Sequence, residues 1–241
     1  MKIEKGLIEK EKKNAASEAV KHVQDSFIVG LGSGSTAAYA IEEIGNRIKH
    51  EKLRVSGVPT SYQALTLAVK HKIPLATLEE HPMLHLTIDG ADQIDDELNL
   101  IKGMGGALTR EKIVASASKK LIIVADESKR VKVLGENDHP VPIEVLPFAA
   151  PLVMRRIRQI GGNPALREGT YKVGPVVTDN GNVIIDAHFR LLHKPAELEN
   201  ELKALPGVVE TGLFIKMANA AYIGRRSGVE KLQEKHPAKR N

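Results

Sequence analysis

The chain has no cysteine and no tryptophan, and aromatic residues make up only 3% of its 241 positions. Without cysteine there is no disulfide, no thiolate nucleophile and no thiolate metal site. A reducing compartment suits such a composition, and the cytoplasm is the expected location. So few aromatics, with no Trp, argue against a surface that stacks nucleic-acid bases. Lys and Arg number 35 against 30 Asp and Glu, a net charge of +5. These charges alternate in sign along the chain, and only Lys235-His236-Pro237-Ala238-Lys239-Arg240 is purely basic. Nucleic acid is therefore not an expected partner, whereas a mildly basic surface suits a small anionic ligand. No apolar run reaches the ~18 residues that span a bilayer. The first residues, Met1-Lys2-Ile3-Glu4-Lys5, lack the apolar core of a signal peptide. No membrane association is expected.

What is present is an ordinary globular balance, 42% hydrophobic and 27% charged, enough for one substantial core with a smaller one beside it. Ile3 to Val23 reads as an amphipathic helix, with Ile8, Ala15, Ala19 and Val23 on one face. The apolar run Phe27 to Leu31 ends in glycines and passes into a helix from Ser35. Leu53 to Val58 and Ser61 to Lys72 repeat the strand–helix unit; Leu84–Ile88 and Leu121–Val124 read as further strands, with a helix over Ala107 to Ser118 between them. Alternating strands and helices predict a Rossmann-like α/β unit, a parallel sheet flanked by helices, whose ligands bind just beyond the carboxyl ends of the strands.

From about Val131 proline becomes frequent. A helix fits Ala149–Ile160, and Asp179-Asn180-Gly181-Asn182 is a hairpin turn between Val176–Thr178 and Val183–Ile185. A second helix fits Pro195 to Leu205, so this part predicts a smaller ferredoxin-like α+β domain. The expected division is 1–130 with 206–241 as the Rossmann-like unit and 131–205 as the inserted one. Leu213-Phe214-Ile215 and a helical tail after Ser227 are expected to return to the first.

Four segments carry polar residues at the expected strand ends. Gly30-Leu31-Gly32-Ser33-Gly34-Ser35-Thr36 joins a strand to a helix, so backbone amides and the helix dipole face whatever binds there, and Ser33, Ser35 and Thr36 add hydroxyls. Phosphate is the natural ligand. Ser35 stands where a dinucleotide fingerprint needs glycine, and no P-loop lysine follows. Asp89 and Asp92 follow the third strand and can take sugar hydroxyls or a metal, while Asp95 and Asp96 read as a surface turn. Lys102-Gly103-Met104-Gly105-Gly106 precedes a helix bearing Glu111, the combination that proton abstraction beside a carbonyl requires, although exposed helix charges would look the same. Ala125-Asp126-Glu127-Ser128-Lys129 follows the fourth strand, with Lys129 in reach of a ligand or simply on the surface. Pro59-Thr60-Ser61 adds hydroxyls after the second. His81 and His85, four apart, flank a proline and a strand, a poor zinc arrangement.

Taken together and in order, GLGSGST, DGADQID, KGMGGALTREK and ADESK resemble the signature of the A-type ribose-5-phosphate isomerases, and the resemblance runs from the first helix to near the C-terminus. It implies an isomerase of the non-oxidative pentose phosphate pathway that interconverts ribose 5-phosphate and ribulose 5-phosphate through an enediol(ate), with neither metal nor other cofactor. By the same resemblance Glu111 is the base moving a proton between C1 and C2, Lys102 is the partner of the developing oxyanion, and Asp89 and Asp92 contact sugar hydroxyls and assist ring opening. Ser33, Gly34, Ser35 and Thr36 hold the phosphate together with Lys12; Gly90, Ala91, Gly103, Met104 and Gly105 line the sugar, and Lys129 lies at the edge. Homodimers or homotetramers are implied. Gln93 stands where the family commonly has Glu, and Met104 where a small residue is frequent.

Two rival classes share the architecture. A sugar-phosphate-sensing regulator would bind a similar ligand without turnover, but it carries a DNA-binding module ahead of the sensor, and here the glycine loop begins only 30 residues in. A nicotinamide-dependent oxidoreductase conflicts with Ser35.

Overall fold

The computed structural model describes the backbone of residues 2–233 and the side chains from Gly6 onward; the basic stretch 235–240 lies outside the described residues. Its first half repeats strand and helix: α1 (Lys2–Val20), β1 (Ile28–Leu31), α2 (Ser35–Glu51), β2 (Ser56–Pro59), α3 (Tyr62–Lys70) and β3 (Leu86–Asp89). Two short strands follow, β4 (Gln93–Ile94) and β5 (Leu100–Ile101), then α4 (Leu108–Ser116) and β6 (Leu121–Asp126). The smaller unit contains β7 (Val141–Val145), α5 (Ala150–Gln159), β8 (Asn163–Leu166), β9 (Val183–His188), α6 (Pro195–Lys203) and β10 (Val208–Thr211). After it come β11 (Leu213–Phe214), β12 (Ala220–Arg225) and β13 (Gly228–Gln233), which return to the first unit.

The main sheet has the order β13-β12-β6-β3-β1-β2, parallel throughout except for β13. One face of it is covered by α1, α2 and α3: Ala15, Ala19, Ile41, Ile44, Ala64 and Ala68 pack with Val29, Leu31, Leu86 and Ile88. The residues between those on each strand face the other way. There Val114 of α4 meets Val58 and Leu84, and Ile123, Ala125 and Ala221 meet Ile94, Leu100 and Phe214. That second face is therefore roofed partly by a helix and partly by a small sheet, β11-β5-β4. Period-two burial on both faces explains why these strands read as almost unbroken apolar runs.

The small unit has the sheet order β10-β7-β9-β8, all antiparallel, with α5 and α6 packed against it over Val141, Ile143, Val145, Val153, Ile157, Ile185 and Leu202. This β-α-β-β-α-β order is ferredoxin-like, as expected. Three details differ from the sequence reading. The tail after Ser227 is the strand β13 and not a helix: it pairs antiparallel with β12 from Gly228 to Gln233, with Val229 and Leu232 packed on the core and Lys231 and Gln233 exposed. The incoming arm of the hairpin, Val176–Thr178, makes only a bridge to Val183, and β8 takes its place beside β9. The N-terminal helix ends at Val20, three residues early. Among the described residues no helix is long and apolar enough to cross a membrane.

Candidate active site

The carboxyl ends of β1, β2, β3 and β6 open on one cavity of about 460 Å³, closed on the far side by the loop before α4 and the turn before β9. Strand ends bring Ser33, Gly34, Ser35, Thr36, Gly90, Ala91, Asp92 and Lys129 to its wall, and the segment after β5 brings Lys102, Gly103, Gly105 and Glu111.

The glycine loop is shaped from beneath by Asp89. The last residue of β3, it is 1% exposed and accepts hydrogen bonds from the amides of Ser33 (3.0 Å) and Gly90 (2.7 Å). A Cβ on Gly32 would sit 2.2 Å from Asp89 Oδ1, so this backbone passes only as glycine. The Ser33 hydroxyl is held by Thr60 (2.8 Å) and Ser61 (2.6 Å), and the Gly34 amide donates to Gln63 Oε1 (2.8 Å). Gly34, at φ +95°, caps α2 without any side-chain bond to its first amides. The amides of Ser35, Thr36 and Ala37 have no intrahelical acceptor, and with the hydroxyls of Ser35 and Thr36 they are arranged as an anion would require.

Opposite the loop lies a buried charge triad. Lys102 Nζ, 3% exposed as a side chain, is 3.1 Å from Asp89 Oδ2, 3.3 Å from Glu111 Oε2 and 2.5 Å from the Gly90 carbonyl. Phe214 of β11 presents its ring face 5.4 Å away. Burial alone would lower the Lys102 pKa, but Asp89, Glu111 and Asp92 together raise it, so the ammonium persists. Burial raises Asp89 as well, opposed by Lys102 and the two amides. Glu111 is different. Burial first, then Asp89, pushes it up to about 8 against the pull of Lys102. Its Oε2 is close enough to Lys102 for an ion pair, yet it has no hydrogen-bond partner of acceptable geometry. A buried carboxylate left in that state at a cavity wall is available to take a proton.

Most of the residues singled out in the sequence converge here. Three do not line the cavity: Lys12, whose ammonium pairs with Glu9 at 2.8 Å on α1; Met104, whose amide donates to Asp92 (2.9 Å); and the enclosed Asp89. Gly106 and Ala107 complete the loop wall. Two further lining residues were not anticipated, Gln63 in the first turn of α3 and Asp179. The turn signal around Asp179 was legible; that its carboxylate accepts from the Tyr62 amide at 2.9 Å, across 117 positions, was not. His85 is structural: its Nδ1 accepts from the Ile28 amide (3.0 Å) and its ring stacks on Phe27. Among the described residues no group of three or more His, Cys, Asp or Glu is arranged to hold a metal.

What such a cavity can do is draw a proton from a carbon beside a carbonyl and hold the oxyanion that results, while the loop grips a phosphate at the other end; that is the chemistry of a sugar-phosphate isomerase. Comparison with known proteins agrees. Residues 56–228 match the family described as ribose 5-phosphate isomerase A (phosphoriboisomerase A). Ribose-5-phosphate isomerase A of Methanosarcina acetivorans is 49% identical over 222 residues, 92% of this chain and 93% of that one. The solved structure of the Methanocaldococcus jannaschii enzyme superposes with a TM-score of 0.90 at 46% identity, covering 93% of this chain and 99% of that one. A D-ribose-5-phosphate isomerase solved in complex with phospho-erythronic acid gives 0.91 at 44% identity, covering 94% and 99%. The chain belongs to the ribose 5-phosphate isomerase A family.

Proposed function

We propose that the chain interconverts ribose 5-phosphate and ribulose 5-phosphate by proton transfer, with Glu111 as the base. The observation that carries this is the buried Glu111 carboxylate at the cavity wall, its Oε2 3.3 Å from the Lys102 ammonium but without a hydrogen-bond partner. In the open-chain aldose, Glu111 takes the proton from C2, and the electrons of that C–H bond form the C1–C2 double bond while the carbonyl oxygen becomes an oxyanion. Lys102 stabilises this charge in an enclosed site where it acts strongly. The proton then returns to C1 while the proton of the O2 hydroxyl passes to the O1 oxyanion, which leaves the ketose with its carbonyl at C2 and a hydroxyl at C1. Asp92 lines the cavity, which supports it as a contact to the sugar hydroxyls and a helper in ring opening; Asp89, enclosed beneath the loop, supports Lys102 and the Ser33 and Gly90 amides. The open amides of α2 support the loop as the phosphate site, and phosphate binding orients the sugar away from the reacting carbons. Lys129 supplies positive charge at the rim.

The surroundings of the reaction follow the same reading: a cytoplasmic enzyme with a 1–130 and 206–241 unit and an inserted 131–205 unit, assembled as two or four copies. Exposed Leu146 and Phe148, in the turn that leads into α5, support assembly. The test is isomerisation in heavy water after exhaustive chelation. Ketose must form, with deuterium entering at the migrating position as the carboxylate exchanges with solvent. Strict retention of the substrate hydrogen, with activity lost to chelator and restored by a divalent ion, would replace this mechanism by a metal-assisted hydride shift.

A further inference from the structure

The small unit touches the catalytic loop through a side chain that the scheme above does not use. Arg167 follows β8 and stays outside the cavity wall. Its Nη1 donates to the carbonyl oxygens of Gly103 (2.8 Å) and Met104 (3.0 Å). Its Nε donates to Asp186 Oδ2 at 2.8 Å, and Nη2 pairs with the other oxygen of that carboxylate. The two side chains are 12% and 17% exposed. One guanidinium thus ties two successive carbonyls of the loop to a carboxylate on β9.

Fixing two carbonyls fixes two amides. In a trans peptide the C=O and the following N–H point in opposite directions, and no cis peptide occurs among the described residues. With the Gly103 carbonyl drawn to Arg167, the Met104 amide turns the other way and donates to Asp92 Oδ2 at 2.9 Å. With the Met104 carbonyl drawn the same way, the Gly105 amide is also turned from the guanidinium. Gly105 lines the cavity, and its amide donates to no protein acceptor among the described residues. Gly103 and Gly106 have φ of +107° and +77°, so this segment holds little shape of its own and depends on outside contacts.

We propose that Arg167, anchored by Asp186, is a positioning residue for isomerisation: it holds Gly103–Gly105 so that the Gly105 amide is an oxyanion donor in the cavity and the Met104 amide orients Asp92. This rests on the isomerase reading above and adds the small unit to the apparatus of the reaction.

The experiment compares the native protein with Arg167→Lys, Arg167→Met and Asp186→Asn, using ribose 5-phosphate as substrate and inorganic phosphate and phospho-erythronic acid as inhibitors. Lysine keeps the charge but lacks the planar fork. Loss of one oxyanion donor costs about 10²–10³ in kcat, and a misdirected one less. The expected result is a kcat lower by about 10- to 100-fold for Arg167→Lys, with KM and phosphate inhibition within about threefold of native. Phospho-erythronic acid, whose carboxylate stands in for the enediolate oxygens, should weaken in proportion to kcat. Hydrogen exchange over residues 103–106 should accelerate while the rest of the chain is unchanged. If Arg167→Met does not fold, Arg167→Lys and Asp186→Asn carry the comparison. Native kcat and native phospho-erythronic acid affinity in folded variants overturn the proposal, and so does equal weakening of both inhibitors, which marks general loosening. A native protein that does not isomerise ribose 5-phosphate overturns the isomerase reading instead, and the exchange measurement still decides whether Arg167 holds the loop.

Discussion

The titration of Glu111 should be visible in the rate. Its carboxyl is enclosed beside Asp89 and pushed up to about 8, while Lys102, raised by its acidic neighbours, remains an ammonium throughout the neutral range. A base with that pKa is about one-tenth ionised at pH 7 and half ionised at pH 8. Since kcat/KM follows the base form of the free enzyme, it should rise about fivefold from pH 7 to 8 and about twofold more to its plateau. The sugar phosphate loses its second proton near pH 6 and is a dianion across this range. The assay is the initial rate of ribulose 5-phosphate formation, at substrate well below KM and constant ionic strength, from pH 7 to 9.5. Glu111→Gln should lower the rate at least about a hundredfold and flatten the profile. Asp89→Asn removes one of the charges that raise Glu111, so the surviving limb should move to lower pH. A flat native profile over this range, or near-native turnover by Glu111→Gln, would refute Glu111 as the titrating base.

The same shift makes Glu111 a cost to folding. Its folded pKa lies above the ordinary 4.5, so its stability contribution is intact below 4.5 and is lost as pH rises toward about 8. Thermal melts should therefore show Glu111→Gln gaining on the native protein by about 1.4 kcal/mol for each pH unit within that window; parallel curves from pH 5 to 8 would contradict it. Gly32→Ala would place a methyl against Asp89 and should cost about 1–3 kcal/mol along with most of the activity, read from melting and kcat together. Asp179→Ala removes the bond to the Tyr62 amide, worth about 1 kcal/mol, and should raise KM about fivefold at unchanged kcat. A fall in kcat alone would instead place Asp179 in the chemistry.

Much of the site could be read from order and spacing, because parallel α/β sheets deliver ligand-binding residues at one place, the strand end. Ser33 to Thr36, Asp92 and Lys129 each lie within a few residues of the end of an apolar run, and all line the cavity. What escaped was information that no local pattern holds. Two-residue strands such as β4 and β5 have no periodicity to detect, yet together with β11, whose return to the first unit was legible, they roof one face of the sheet and bring Phe214 to Lys102. β13 is an edge strand only partly buried, with Glu230 and Lys231 next to each other, a pattern that also suits a helix end. Asp179 advertised a turn, and the turn exists, but its partner lies in another element. Lys12 looked as suitable as any lysine for an anion; only packing shows that Glu9 already holds it.

The position of β12 has a consequence for the newly made chain. Ala220 to Gly224 pair with Ile122 to Asp126, between β6 and the edge strand β13. Until residue 225 has left the ribosome, β6 is an unprotected border whose amides and carbonyls invite pairing with any extended segment nearby. The nascent polypeptide can gather β1, β2, β3 and β6 early, but about a hundred further residues are synthesised before that border is closed. Joining segments so distant along the chain is slow. Aggregation during production should therefore begin at β6, and termination ahead of residue 220 should yield insoluble material even though every residue that lines the cavity has already been translated.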